Sequence, residues 1–224
     1  NNHSKLFNTY YNYFNKRAVR KADLIITISE NTKNDLIKYY GADAKKIRTI
    51  YLGADQKFFE AKKEKPIING KYFLSITTHP KRKNIIGVLK AISISKKIQQ
   101  YKYVIAGLIE EKQLKDLQQE IDRLSLKDHV ILFGFASDKE LISLYQNAEF
   151  FIFPSFYEGF GLPVVEAMAM GCPVITSDNS SLVEVVPDRE WLVNPSDAKD
   201  IKNKMENLVS FAKEDRQDLI KKNS

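Results

Sequence analysis

EFFIFPSFYEGFGLPVVEAMAMGCPVIT, residues Glu149–Thr176, reads as strand, loop, helix, turn and strand. Phe150, Phe151, Ile152 and Phe153 form a continuous apolar run closed by Pro154, the pattern of a strand covered on both faces. Ser155 to Leu162 is a loop carrying Gly159 and Gly161. Pro163 suits the first position of a helix, where its fixed φ is correct and its missing N–H had no partner to lose. Gly171 suits the position just past the last turn, where a left-handed residue is wanted. Pro173 stops the helix, and Val174-Ile175-Thr176 starts the next strand.

That order of elements has a chemical consequence. A loop at the carboxyl end of a parallel strand lies where open α/β sheets bind ligands. The helix that follows turns its unpaired N–H groups and partial positive charge toward the same crevice, so the place favours an anion, with phosphate the usual one. Gly159 and Gly161 allow the backbone to approach a bound group closely. Glu158 and Glu166 frame the loop with seven residues between them. Carboxylates beside an anion site are suited to accepting hydrogen bonds from sugar or ribose hydroxyls rather than to holding phosphate.

Working outward, strands and helices alternate from Tyr72 onward: strands at 72–76, 103–106, 130–133, 150–153, 174–176 and near 191–193. Helices are expected at 85–100, 110–126, 138 onward, 163–170, around 182–186 and from 196. Ser137-Asp138-Lys139-Glu140 is a capping box. Six strands with intervening helices predict an α/β fold with a doubly wound, Rossmann-like parallel sheet. Upstream, 22–28 and 47–52 read as strands around a helix at 32–40 that ends at Gly41. Residues 56–70 read as a charged connector. At the start, Phe7, Tyr10, Tyr11 and Phe14 fall on one helical face, for packing or, alternatively, for a membrane surface.

Several of these segments resemble the retaining glycosyltransferases of the GT-B fold, family 4 type. EGFGLPVVE followed by AMAMGCPVI resembles the family's E-x7-E segment. FLSITTHPKRKNI resembles its phosphate-binding loop. ADLIITISENTKNDL and KKIRTIYLGAD resemble the end of its amino-terminal domain with the hinge strand. The resemblance implies a remnant of the amino-terminal, acceptor-side domain at 1–55, the connector at 56–70, and a donor-binding GT-B carboxy-terminal domain at 71–224. It implies that Arg82 and Lys83 grip a diphosphate and that Glu158 contacts the transferred sugar as the catalytic candidate. Glu166 would contact the ribose, and the Phe160, Gly161 and Leu162 amides would face the sugar and distal phosphate. Phe135, in the loop after strand 130–133, borders the base and could stack on it or pack in the core. Thr77 departs from the family's usual glycine, which predicts a looser loop. The implied substrate is a GDP- or UDP-linked sugar, GDP-mannose among the candidates, transferred with retention to a saccharide or lipid-linked acceptor in polysaccharide biosynthesis. The resemblance also implies that most of the amino-terminal domain and a final crossing helix are supplied by more of this chain or by a partner chain. A donor-binding subunit without its own catalysis and a nucleotide-sugar epimerase are the alternatives.

Composition narrows the rest. Hydrophobic residues at 43% supply a core, and no run approaches the roughly 18 apolar residues of a membrane span. The net charge of +7 favours anionic partners, a phosphorylated donor or an anionic membrane surface. No nucleic-acid motif appears, so no nucleic-acid partner is expected. The single Cys172 rules out an internal disulfide and fits a reducing cytoplasm, with peripheral membrane association as an option. His3, His79 and His129 form no ligand cluster, so neither a metal nor a cofactor beyond the donor substrate is expected.

Overall fold

The computed structural model of the chain describes residues 5–211, with backbone only for 5–8. His3, the side chain of Phe7 and the end of the expected 71–224 domain lie outside the described residues. The chain divides into two compact units between Leu52 and Gly53.

The first unit contains helix α1 (Lys5–Lys21), strand β1 (Ile25–Thr27), helix α2 (Glu30–Tyr40) and strand β2 (Ile47–Thr49). β1 and β2 pair in parallel, Ile25 opposite Ile47, with α2 as the crossover. Ser29 caps α2 by accepting from Thr32 N–H at 3.0 Å, and Gly41 ends it at φ 67. Both strands are shorter than the apolar runs suggest. On α1, Tyr10, Tyr11 and Phe14 are exposed, and the rings of Tyr10 and Phe14 lie 4.3 Å apart.

The second unit is the doubly wound domain. Its strands are β3 (Tyr72–Ile76), β4 (Lys102–Ala106), β5 (Val130–Gly134), β6 (Phe151–Phe153), β7 (Val174–Ser177) and β8 (Leu192–Val193). They form one parallel sheet in the order β5-β4-β3-β6-β7-β8. Its helices are α3 (Gln56–Phe59), α4 (Ile85–Ser93), α5 (Glu111–Arg123), α6 (Asp138–Asn147), α7 (Leu162–Ala169), α8 (Leu182–Val185) and α9 (Ala198–Ser210).

The two-residue period of the strands sends alternate side chains into two separate cores. Phe73, Ile105, Ile152, Ile175 and Val193 meet α4, α5 and α9 on one face. Tyr72, Leu74, Val104, Phe151, Phe153 and Val174 meet α3, α6, α7 and α8 on the other. In the first core Phe73 is stacked between Tyr103 at 4.8 Å and Phe150 at 5.0 Å. A buried relay crosses the sheet there: Tyr103 Oη bonds Ser75 Oγ at 2.9 Å, and Ser75 donates to the Ile152 carbonyl at 2.6 Å.

Two expectations are corrected. The helix from Ile85 stops at Ser93 rather than Gln100. The Ser93 hydroxyl turns back onto the Lys90 carbonyl, and Ser95 accepts from Ile98 N–H to start a short 3-10 turn at Ile98–Gln100. Pro163 is the second residue of α7 rather than the first, because the helix begins at Leu162. The charged connector 56–70 packs onto the rest of the second unit. Phe58 is buried against Tyr145, and the backbone groups of Lys62, Glu64 and Lys65 hydrogen-bond the side chains of Gln146, Asn147 and Ser143 of α6.

Candidate functional site

The sheet order reverses between β3 and β6. From β3 the chain moves outward to β4 and β5, then returns to place β6 on β3's other side. Such a switch point opens a crevice at the carboxyl ends of the two central strands. The loops that meet there are 77–84 after β3 and 154–161 after β6, with 178–181 after β7 beside them.

Loop 77–84 is held by its own polar groups. Thr77 Oγ1 accepts from His79 N–H at 3.0 Å, and the His79 carbonyl accepts from Lys83 N–H at 3.0 Å. Asn84 takes a left-handed φ of 55, caps α4 by accepting from Gly87 N–H at 3.2 Å, and donates to the Pro195 carbonyl at 2.6 Å. Threonine at 77 is tied into this loop. Its side chain is buried and bonded, and the close approach falls instead at Gly107, where a Cβ would lie 2.1 Å from the Thr77 carbonyl oxygen.

The loop brings Arg82 and Lys83 onto Glu158. Arg82 Nη1 lies 2.8 Å from Glu158 Oε2 and also donates to the Tyr157 carbonyl at 3.2 Å. Lys83 Nζ lies 2.7 Å from Oε1. Lys83 Nζ also sits 4.1 Å over the ring of Phe153, the last residue of β6. Glu158 and Lys83 are 6% and 8% exposed, so both charges are almost wholly withdrawn from water. Burial pushes the Lys83 ammonium below the ordinary lysine range, the Glu158 carboxylate opposes that, and the Arg82 charge adds to it. A buried ion pair is costly to assemble and costlier to break on one side. Such a cluster therefore signals a use other than stability.

The glycine loop is fixed from beneath by two consecutive serines. Ser180 Oγ accepts from Glu158 N–H at 3.1 Å, and Ser181 Oγ lies 3.0 Å from the carbonyl oxygens of both Glu158 and Phe160. Gly161 has φ 110, and a Cβ there would meet Leu182 Cδ2 at 2.7 Å, so α8 packs directly on the loop's last residue. At the start of α7 the N–H groups of Gly161 and Leu162 find no acceptor among the described residues. Phe160 is buried, Gly159 half-buried and Leu162 exposed.

Glu166 is placed apart from this cluster. Its Oε2 accepts from the Tyr145 hydroxyl at 3.1 Å. Burial raises its carboxyl above the ordinary range, while the Tyr145 hydrogen bond and the nearby Lys57 charge act the other way. Lys57 is itself paired with Asp138 at 2.9 Å. The two glutamates thus have different partners. Phe135 is 67% exposed, which excludes a core role and leaves its ring open at the carboxyl edge after β5.

Asn84, Tyr145, Ser180 and Ser181 were not legible as site residues. A serine before a helix reads as an N-cap, and nothing local shows that Ser181 makes no capping bond to α8. Among the described residues no cluster of His, Cys, Asp or Glu could hold a metal, and no helix is long and apolar enough to cross a membrane.

Residues 56–224 match the family described as Glycosyl transferases group 1, and residues 1–58 match Glycosyltransferase Family 4. The chain is 33% identical over 202 residues to the O-antigen chain mannosyltransferase RfbU of Salmonella typhimurium, covering 89% of this chain and 54% of that protein. It is 30% identical over 211 residues to the serotype-specific mannosyltransferase WbdA of Escherichia coli, covering 88% of this chain and 26% of that one. The chain therefore spans between about a quarter and about a half of these relatives. In fold it is similar to the Anabaena Alr3699/HepE protein crystallised with UDP and glucose, with a TM-score of 0.79, 22% identity, and coverage of 92% of this chain and 58% of that one.

Proposed function

The chain belongs to the glycosyl transferases group 1, and from that premise we propose that it carries the donor site of a retaining glycosyltransferase. The donor is a nucleoside-diphosphate sugar. Its diphosphate takes Arg82, Lys83 and the amide end of α7, its sugar lies beside Glu158, and its ribose hydroxyls donate to Glu166. Phe135 is available to the base. The observation that carries this reading is the pair of cations held at the switch point by one buried carboxylate. Similarity to mannosyltransferases favours mannose, hence GDP-mannose, and a saccharide or lipid-linked acceptor.

The chemistry follows from placement of charge. Cleaving the bond to the anomeric carbon leaves negative charge on the diphosphate, and preoriented cations and amides stabilise it as it forms. Arg82 and Lys83 supply that charge, so the chain needs no cofactor beyond its donor. The acceptor hydroxyl attacks from the face that the diphosphate leaves, which preserves the anomeric configuration.

Titration calorimetry with GDP, UDP and their sugars tests the site. Glu158→Gln should weaken the sugar-bearing donor by about 1.5–3 kcal/mol, the worth of a hydrogen bond to a charged group, without weakening the free nucleotide. Arg82→Ala should weaken both ligands. Equal affinity of wild type and both variants for every ligand would remove the donor site from this crevice.

A further inference from the structure

Ser181 stands at the start of α8 with φ −73 and ψ −10, yet it makes no capping hydrogen bond to that helix. Serine is favoured at such a position because its hydroxyl satisfies an amide of the first turn. Here the hydroxyl is wholly buried and directed instead to the carbonyls of Glu158 and Phe160, both at 3.0 Å. Its neighbour Ser180 takes φ 49, a left-handed conformation that a serine seldom adopts. In that conformation its hydroxyl accepts from Glu158 N–H at 3.1 Å and donates to Asn179 Oδ1 at 3.2 Å. The N–H and the C=O of Glu158 therefore both end on this serine pair. α8 loses a cap and Ser180 a relaxed backbone, and what is gained is a fixed main chain at one residue.

We infer that Ser180 and Ser181 are positioning residues that set the Glu158 carboxylate and the glycine-loop amides for the glycosyl part of the donor. The inference rests on the donor reading given above. A trans peptide is planar, with its C=O and N–H pointing opposite ways. Seating the carbonyls of residues 158 and 160 on Ser181 turns the amides of Gly159 and Gly161 away from the buried hydroxyl. With the main chain pinned on both sides, Glu158 reaches Arg82 and Lys83 without a soft backbone beneath it. Loosening the pair should blur the Glu158 and amide positions, while the main chain that carries Arg82 and Lys83 stays seated by the Thr77, His79 and Asn84 bonds of its own loop. The sugar contact is then lost and the diphosphate contact kept.

The experiment uses the full-length protein as wild type, Ser180→Ala, Ser181→Ala and Ser181→Thr. Free nucleoside diphosphate and the corresponding nucleotide sugar are titrated against each, and amide hydrogen exchange is followed over 154–162. In both alanine variants affinity for the sugar nucleotide should fall by about five- to tenfold, the effect of one lost hydrogen bond. Affinity for the free diphosphate should stay within about twofold of wild type. Exchange over 154–162 should accelerate, and Ser181→Thr, which keeps the hydroxyl, should restore both. Ser180→Ala touches a half-buried side chain and guards against a Ser181→Ala protein that does not fold. Alanine variants that lose both ligands equally, or lose neither and only melt earlier, would overturn the positioning role. A wild type that binds free nucleotide but no nucleotide sugar would overturn the donor reading itself, a failure visible before any variant is made.

Discussion

Glu166 has a pH signature set by its burial. Its folded-state carboxyl titrates above the ordinary value of 4.5 because burial disfavours the charge. A raised folded value means that the folded protein holds this proton more tightly than the unfolded one. The stabilising contribution is full below 4.5 and is lost as pH rises through the folded value. Replacing Glu166 by Gln removes that loss, so the variant should melt higher than wild type at pH 7 by about 2–4 °C per kcal/mol gained, with the gap closing below pH 4.5. The same variant should bind both free nucleotide and nucleotide sugar more weakly. A melting gap that stays constant with pH would show that burial does not set the Glu166 proton affinity. Lys83 behaves differently. Removing it leaves Glu158 buried with one partner fewer, so Lys83→Ala should cost about 3–5 kcal/mol of stability in denaturant melts. Arg82→Ala, at a more exposed side chain, should cost less than about 1 kcal/mol.

Glycines make the sharpest predictions among the elements. At Gly107, with φ 126, an added Cβ would strike the Thr77 carbonyl oxygen, a backbone atom of the neighbouring strand end. At Gly161 the strain of φ 110 is met by the tip of a leucine. Gly107→Ala should therefore destabilise by about 3 kcal/mol or more and Gly161→Ala by about 1–3 kcal/mol. The reverse order in chemical denaturation would contradict the packing described. Legibility in the sequence follows the same physics. The strands of the sheet, the Ser137 capping box, Gly41 and Gly171 were readable because each rests on local periodicity or a single backbone angle. The end of α4 was not, since its stop depends on where Ser93 and Ser95 send their hydroxyls. Arg82, Lys83, Glu158 and Glu166 were visible as residue types after strands and in a helix turn. That Glu158 would hold both cations was not visible, because loops separated by more than 70 residues meet only once the strand order is known.

On the scale of the whole molecule, the boundary of the second unit decides what can be handled alone. Phe58 is buried against Tyr145 with ring centroids 6.2 Å apart, and the stretch from Lys62 to Lys65 is bonded to α6. A protein starting at residue 53 should therefore melt in one cooperative transition. One starting at residue 71, where the apolar alternation begins, should lose the cost of a core phenylalanine, about 3–5 kcal/mol, with the stitching to α6. Phe58→Ala in the longer protein measures the first part separately. If the two truncations melt alike, residues 56–70 are a tether after all.

On the donor reading proposed above, the carboxylate that holds the two cations would also compete with any anion that approaches them. Glu158 is chained to its own binding site, and a tethered group presents itself at an effective concentration on the order of millimolar or above. A free anion must outcompete that resident. Orthophosphate brings no second foothold with which to do so, whereas a molecule that also engages a ribose and a sugar pocket does. On that reading, small phosphates would be screened out by competition with the protein's own carboxylate.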